Sequence, residues 1–172
     1  MNMKKYIKKM IKELFWVLDK IAPTQYRKFF PRYLKWLGVE IDYKETEGMW
    51  ISPTVFLDST DYSKIKIGKR VTISFDVAIL IHDYSIVHAV RAIDGEKKLS
   101  RIIQKEVVIG DNVFIGAKSL ILPGTVIGNN CIIGGGTVVK GILEENSIYC
   151  GNPARRIGSI EDYANRYIEE LT

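Results

Sequence analysis

The stretch VVIGDNVFIGAKSLILPGTVIGNNCIIGGGTVVK, residues 107–140, repeats with a period of six residues. A β-branched aliphatic residue occupies one fixed position of every repeat, and the same spacing occurs earlier in the chain. The series consists of Ile109, Ile115, Ile121, Ile127, Ile133 and Val139, preceded by Ile67, Ile73 and Ile79. Repetition at a fixed period indicates a stack of similar structural units rather than an irregular globular fold.

A second series of small or branched residues lies two places before the first: Val107, Val113, Ser119, Thr125, Cys131 and Thr137. Residues i and i−2 of a strand point the same way, so both series face one interior. Glycine follows many of the aliphatic residues and lets the chain turn tightly. Three short strands and three turns make a coil of about eighteen residues, and such coils stack roughly 4.8 Å apart. The sequence therefore predicts a mainly β protein, a parallel β-helix of about five coils.

A third series points outward because it alternates with the inward residues: Val108, Phe114, Leu120, Val126, Ile132 and Val138. A large outward apolar surface usually marks a contact with another molecule. We therefore expect this chain to associate with copies of itself.

Residues 1–37 form a basic arm, since residues 1–36 hold ten lysines and arginines against two acidic residues. Apolar residues recur at helical spacing up to Ile21 and predict an amphipathic helix that Pro23 ends, with Thr24 capping a second helix. Lysines lie on the other side of the first helix: Lys4, Lys5, Lys8, Lys9 and Lys12. Two interpretations remain open, a helical pair packed on the main body and a helix lying on a lipid surface.

The rest of the chain divides into a repeat domain, residues 38–158, and a C-terminal helix, residues 159–172, that Ser159 and Asp162 would cap. No apolar run is long enough to span a membrane, and the N-terminus lacks the features of a secretory signal. The two cysteines predict a reducing compartment, hence a cytoplasmic protein, at the inner face of the membrane if the arm contacts lipid. The two histidines disfavour a zinc site, and we expect no nucleic-acid partner.

The repeats and the closing segment SIYCGNPARRI, residues 147–157, resemble the hexapeptide-repeat O-acetyltransferases that act on galactosides, maltose and polysaccharides. The resemblance covers residues 37–157. It implies that the β-helix is left-handed and that three parallel β-helices form a homotrimer. It also implies acetyl-CoA as co-substrate in clefts between neighbouring chains, and no metal.

The loop of residues 80–106 interrupts the repeat and is the natural place for a functional group. It begins with His82, at the position where the related enzymes carry their general base, and His88 is the second choice. If the segment DSTDYS, residues 58–63, holds four residues more than the period allows, counting inward positions backwards places Leu57 one coil before Ile79, and His82 would lie near Asp58 and Asp61. Either carboxylate could orient the imidazole; the motif FLD, residues 56–58, favours Asp58, while turn residues remain the alternative for both.

The resemblance also implies a set of acetyl-CoA contacts. The amide of Ala117 would stabilise the oxyanion, while backbone around Gly135 and Gly136 would hold the co-substrate. Arg155 would pair with a phosphate, and Phe114 would line the pocket or pack between chains. Lys140 joins this set although the related enzymes carry their lysine one place later, at Gly141 here.

The sequence thus predicts an O-acetyltransferase that moves acetyl from acetyl-CoA directly to a hydroxyl group. The expected acceptor is a saccharide of a cell-surface polysaccharide or a lipid-linked glycan. A serine or xenobiotic hydroxyl is the alternative acceptor, and a non-catalytic trimeric scaffold is the alternative of another class.

Overall fold

The computed structural model describes residues 3–44, 47–95 and 102–171, without the side chains of residues 3–9, 12 and 169. Helices α1 (Met3–Ile21) and α2 (Pro23–Leu37) come first. The first two coils consist of β1 (Glu40–Ile41), β2 (Trp50–Ile51), β3 (Phe56–Leu57), a 3₁₀ turn (Tyr62–Lys64), β4 (Ile65–Ile67), β5 (Thr72–Ile73) and β6 (Ala78–Ile79). The loop that follows holds β7 (His82–Asp83), α3 (Ser85–Ile93) and β8 (Ile103–Gln104).

The remaining coils continue the same pattern. They consist of β9 (Val107–Ile109), β10 (Phe114–Ile115), β11 (Leu120–Ile121), β12 (Val126–Ile127), β13 (Ile132–Ile133), β14 (Val138–Val139), β15 (Ile142–Leu143) and β16 (Ser147–Cys150). The chain ends with β17 (Arg155–Ser159) and α4 (Ile160–Leu171). Four coils have three strands and the fifth has two, in agreement with the predicted number.

The coils stack into a three-sided prism whose faces are parallel sheets. The first face has the order β1-β4-β9-β12-β15, and the second contains β2, β5, β10, β13 and β16. The third face has the order β3-β6-β11-β14. Equivalent repeat positions pair from coil to coil, as Leu57 pairs with Ile79 and Ile79 with Ile121.

The interior of the prism is filled by the two inward series that the sequence predicts. The aliphatic residues from Ile67 to Val139 are at most 4% exposed, and the residues two places before each of them in residues 107–137 are at most 1% exposed. The outward series remains partly or largely accessible, with Phe114 43% and Val126 37% exposed. Branched side chains fit such a flat, buried stack because strand geometry leaves room for their second methyl group.

The arm packs on the first coil, as the first of the two interpretations expects. Tyr26, Phe30 and Leu34 of α2 join the buried core, and the Tyr26 hydroxyl donates to the Ile51 carbonyl. The indole nitrogen of Trp50 donates to Asp19 of α1 at 3.2 Å. All five lysines of the predicted lysine side of α1 lie outside the described side chains.

The predicted start of the second helix is wrong. Helix α2 begins at Pro23, two residues earlier than a Thr24 cap requires, and Ala22 precedes it without a capping side chain. Proline is favoured in the first helical turn because that turn leaves its N–H positions unpaired in any case.

Two features of the chain after the second coil were not predicted from the sequence. The interrupting loop contains the helix α3, and β17 closes the second face by pairing antiparallel with β16. The C-terminal helix follows β17 as expected, and the Ser159 hydroxyl accepts the amide hydrogen of Asp162 at 3.1 Å. None of the helices in the described ranges combines the length and apolar character needed to cross a bilayer.

Replacing Ile121 by Ala should lower the free energy of unfolding by about 3 kcal/mol, because its fully buried side chain would leave a cavity in the stack. Ile93, 90% exposed at the end of α3, provides the matched control, and its replacement by Ala should cost less than about 0.5 kcal/mol. Urea unfolding followed by circular dichroism measures both. Equal effects of the two variants would contradict the assigned interior.

Candidate active site

His82 lies where the chain leaves the third face and enters the interrupting loop. Its ring nitrogen Nδ1 contacts Oδ2 of Asp58, although the two residues are 24 positions apart in the sequence. The contact follows from the pairing of β3 with β6, which stacks Leu57 on Ile79 and therefore places the residues after both strands at the same corner. We call this corner, between the third and the first face, the His82 corner.

Asp58 is a carboxylate held in the interior, only 2% exposed. Its Oδ1 accepts hydrogen bonds from the Thr60 amide at 3.1 Å and the Thr60 hydroxyl at 2.8 Å, while Oδ2 accepts from the Ile81 amide at 3.1 Å. Burial by itself raises the pKa of Asp58, but the hydrogen bonds from Ile81, Thr60 and His82 outweigh it and leave the pKa below its ordinary value. Asp58 is therefore a carboxylate at neutral pH and can only accept hydrogen bonds.

This pairing fixes the state of the imidazole. A carboxylate accepts a hydrogen bond from the protonated Nδ1, so Nε2 carries the lone pair when the ring is neutral. Three donors besides His82 hold Asp58 in place, so the carboxylate in turn holds the ring. A histidine oriented in this way by a carboxylate is suited to take a proton from a hydroxyl group at Nε2.

The alternative candidates from the sequence, Asp61 for the carboxylate and His88 for the base, lie away from His82 and Asp58. The Asp61 carboxylate accepts from the Ser63 amide at 3.1 Å and from the Ser63 hydroxyl at 2.6 Å, which makes it the cap of the 3₁₀ turn. His88 lies exposed within α3. The structure thus brings Asp58, and neither Asp61 nor His88, into contact with His82.

A pocket of about 260 Å³ opens at the His82 corner. Its walls include Leu80, His82, Tyr84, Leu122 and Lys140. The Tyr84 ring stands nearly perpendicular to the imidazole, at 88°, with 5.2 Å between the ring centres. The sequence analysis did not predict Tyr84 as a site residue, because no repeat or motif distinguishes a tyrosine within a long loop.

Asp83 adds a second charge to this pocket. Hydrogen bonds from the side chain and the amide of Ser85 lower the pKa of its carboxyl, and the nearby charges of Lys140 and His82 contribute to the lowering. Lys140 therefore lies beside His82 in the same chain, although the sequence grouped it with the co-substrate residues at Ala117.

Ala117, Gly135 and Gly136 of the expected co-substrate site meet at the corner between the second and the third face, which we call the Ala117 corner. The Gly136 amide donates to the Ala117 carbonyl at 2.8 Å, and a Cβ on Gly135 would lie 3.2 Å from the same oxygen. A Cβ on Gly136 would meet no atom within 4 Å, so this corner is open to solvent. Arg155 of β17 is the strand partner of Cys150 of β16. The Cys150 sulfur lies against Gly134, which precedes Gly135 and Gly136 in the chain.

One face of the prism separates the two corners within a chain. The chain crosses the third face from Ala117 to Pro123 in six residue steps, which at strand spacing span roughly 15–20 Å. Phe114 lies outward on the second face, on the far side of the Ala117 corner. The Ala117 amide and the His82 imidazole of one chain therefore cannot reach the same reacting atom.

Comparison with known proteins places the repeats in a defined group. Residues 106–141 match the sequence model described as "Bacterial transferase hexapeptide (six repeats)". The galactoside O-acetyltransferase of Escherichia coli strain K12 is 28% identical over 136 residues, which are 70% of this chain and 66% of that protein. This chain thus spans about two thirds of the length of that relative.

Solved structures of the same kind share the fold. A galactoside acetyltransferase in complex with coenzyme A covers 96% of this chain and 86% of its own, with a TM-score of 0.57 and 22% identity. A maltose O-acetyltransferase from Clostridium difficile 630 covers 86% of this chain and 96% of its own, with a TM-score of 0.52 and 21% identity. These similarities confirm the predicted left-handed parallel β-helix.

The Asp58 contacts predict how stability depends on pH. Because the folded-state pKa of Asp58 is lowered, its contribution to stability is present above the unfolded pKa of about 3.9 and is lost as the pH falls through the folded value. Asp58→Asn removes this titration, so its free energy of unfolding should fall less than that of the wild type between about pH 5 and pH 2. Urea unfolding at a series of pH values measures the difference.

Asp61→Asn is the comparison variant for this experiment. Hydrogen bonds from Ser63 lower the pKa of Asp61 as well, but water reaches this carboxylate and screens its contacts, so its loss should change the acid dependence less than the loss of Asp58 does. An identical acid dependence in Asp58→Asn and wild type would contradict the role of the buried carboxylate.

Proposed function

We propose that this chain is a hexapeptide-repeat acetyltransferase that transfers the acetyl group of acetyl-CoA to a hydroxyl group of a saccharide. The observation that carries the proposal is the contact of His82 with the buried Asp58 at the point where the loop of residues 80–106 interrupts the coils. A related protein is a galactoside O-acetyltransferase, and one structure of the same fold contains coenzyme A.

In the proposed reaction, His82 acts as the general base. Nε2 takes the proton of the acceptor hydroxyl while its oxygen attacks the thioester carbonyl carbon, and the carbon–oxygen bond forms. The carbon–sulfur bond of the tetrahedral intermediate then breaks, and the departing thiolate of CoA accepts from His82 the proton that came from the acceptor hydroxyl. The imidazolium formed in between is stabilised by the Asp58 carboxylate at Nδ1. Asp58 is therefore a positioning residue, since it acts through the ring.

The amide of Ala117 is the proposed donor to the oxyanion. The Ala117 carbonyl accepts a hydrogen bond from the Gly136 amide. The Ala117 N–H donates none of the backbone hydrogen bonds found in the turns and loops of the described residues. A fixed, unused N–H on a rigid turn suits a charge that exists only in the transition state. The open turn at Gly135 and Gly136 leaves room for a chain of pantetheine beside it, and Arg155 supplies a positive charge for a phosphate.

The distance between the corners supports a homotrimer. If the His82 corner of one chain faces the Ala117 corner of the next, both groups and Lys140 border a single cleft. The outward apolar residues on the faces, such as Phe114 and Val126, are then available to pack between chains. Each trimer would hold three equivalent sites, none of which is complete in one chain.

The proposed location is the cytoplasm. The structure describes Cys131 and Cys150 as free thiols, Cys131 in the core and Cys150 partly buried. Unpaired cysteines fit a compartment that keeps thiols reduced, and acetyl-CoA as co-substrate fits the same compartment. The saccharide would be a precursor of a surface polysaccharide or lipid-linked glycan at the inner face of the membrane.

Replacing His82 by Ala should lower kcat by about two to four orders of magnitude, because the general base is lost. Asp58→Asn should lower kcat by roughly a hundredfold or more at a nearly constant KM for acetyl-CoA, since the ring loses its orientation. Asp61→Asn, the matched control, should retain the wild-type rate. The release of free CoA thiol, screened over sugars, amino acids and xenobiotics, measures the rates and identifies the acceptor.

An unchanged rate in His82→Ala with the best acceptor would overturn the assignment. A chain that binds no acetyl-CoA in calorimetry would be the non-catalytic scaffold instead.

Mixed trimers test whether two chains share each site. His82→Ala removes the base, while Gly135→Leu fills the space beside the Ala117 carbonyl, and each variant alone should be inactive. After dissociation and reassembly of an equal mixture, about a quarter of the sites should combine an intact His82 corner with an intact Ala117 corner. Recovery of roughly that share of wild-type CoA release supports the shared site, and no recovery despite mixed assembly would contradict it.

A further inference from the structure

The arm carries an apolar surface that its contacts with the β-helix leave uncovered. Met10, Leu14, Val17 and Ile21 of α1 are exposed by 71%, 66%, 44% and 75%. Their spacing of four, three and four residues places them in one row about 16 Å long. We call this row the arm stripe.

The arm stripe is distinct from the face that holds the arm in place. Phe15 and Leu18 of α1 pack against the buried core, and Asp19 accepts the hydrogen bond of Trp50. The Phe15 ring also contacts Phe30 at 5.2 Å between centres, edge to face. Because these contacts already dock α1, the four exposed side chains contribute little to folding and remain available to another molecule.

The net charge of the arm favours an anionic partner. Exposed cationic side chains on the described part of the arm are Lys20, Arg27, Lys28, Arg32 and Lys35, whereas Glu13 is its exposed acidic side chain. A second copy of the same arm would be repelled by this charge, while a negatively charged surface would attract it. Trp16 and Trp36 are 49% and 65% exposed, and tryptophan is the side chain most suited to the boundary between water and lipid.

We propose that the arm stripe docks on the surface of an anionic lipid bilayer. The apolar side chains insert among the lipid chains while lysines and arginines bind the headgroups, as in helices that lie in the membrane plane. In the trimer of the proposed function, parallel prisms place all three arms at the end of the first coil. Three stripes then meet one surface, and their linkage strengthens binding beyond that of a single arm.

Cosedimentation of the intact 172-residue chain with vesicles tests the proposal without acetyl-CoA. The vesicles consist of phosphatidylcholine alone or of phosphatidylcholine with phosphatidylglycerol. The double variant Leu14→Gln/Val17→Gln changes the stripe, and Lys20→Gln/Lys28→Gln changes the charge. Leu171→Gln is the matched control, because Leu171 is 84% exposed at the far end of the chain, on α4.

The wild type should bind the vesicles with phosphatidylglycerol and not those without it. The stripe variant should bind at least about tenfold more weakly. The charge variant should lose roughly fivefold per charge, and Leu171→Gln should bind as the wild type does. Circular dichroism checks that each variant is folded, and CoA release with a soluble acceptor should be unchanged, which separates this proposal from the proposed function.

Absence of wild-type binding to the anionic vesicles would overturn the proposal, as would unchanged binding of the stripe variant. A smaller assembly of the stripe variant in light scattering would also overturn it, since the stripe would then be a contact between chains.

Discussion

The structure depends on the vertical stacking of equivalent side chains from coil to coil. Leu57, Ile79, Ile121 and Val139 form one such column along the third face, and each pairs with the next at the same register. A shift of one residue would turn the inward side chains outward, so the buried columns keep the register of every coil. The same register brings Asp58 and His82 together, because each follows a member of the column.

The interrupting loop can carry the candidate site because it leaves this stacking intact. Ile67 pairs with Ile109, and Ile79 with Ile121, across the insertion, so the second and third coils meet as if the loop were absent. The first coil holds the first residues of the loop, since the Ile81 amide donates a hydrogen bond to Asp58. The site is therefore rigid at His82, where the chain leaves the third face. Rigid scaffolds that present functional loops follow this arrangement generally.

Most of the prism could be predicted from the period of six, because the position of a residue within the repeat decides whether its side chain points into the prism or out of it. The position of Lys140 was also within reach, since it follows Val139, and Val139 lies in the same column as Ile79. The choice between Asp58 and Asp61 was open, because the 3₁₀ turn at Tyr62–Lys64 adds residues that the period does not count. Helix α3 and strand β17 lie outside the repeats, where no column of buried neighbours specifies them.

The prism geometry has a consequence for assembly. A three-sided coil separates successive corners by a whole face, so a rigid chain cannot fold its Ala117 corner onto its own His82 corner. Reaction at both groups then requires a second chain, and the faces that would meet carry exposed apolar side chains such as Phe114 and Val126. The proposed homotrimer would explain both the outward apolar series and the split of the site. Association of chains would bury the outward residues and bring His82 of one chain to Ala117 of the next, so selection for activity would maintain both.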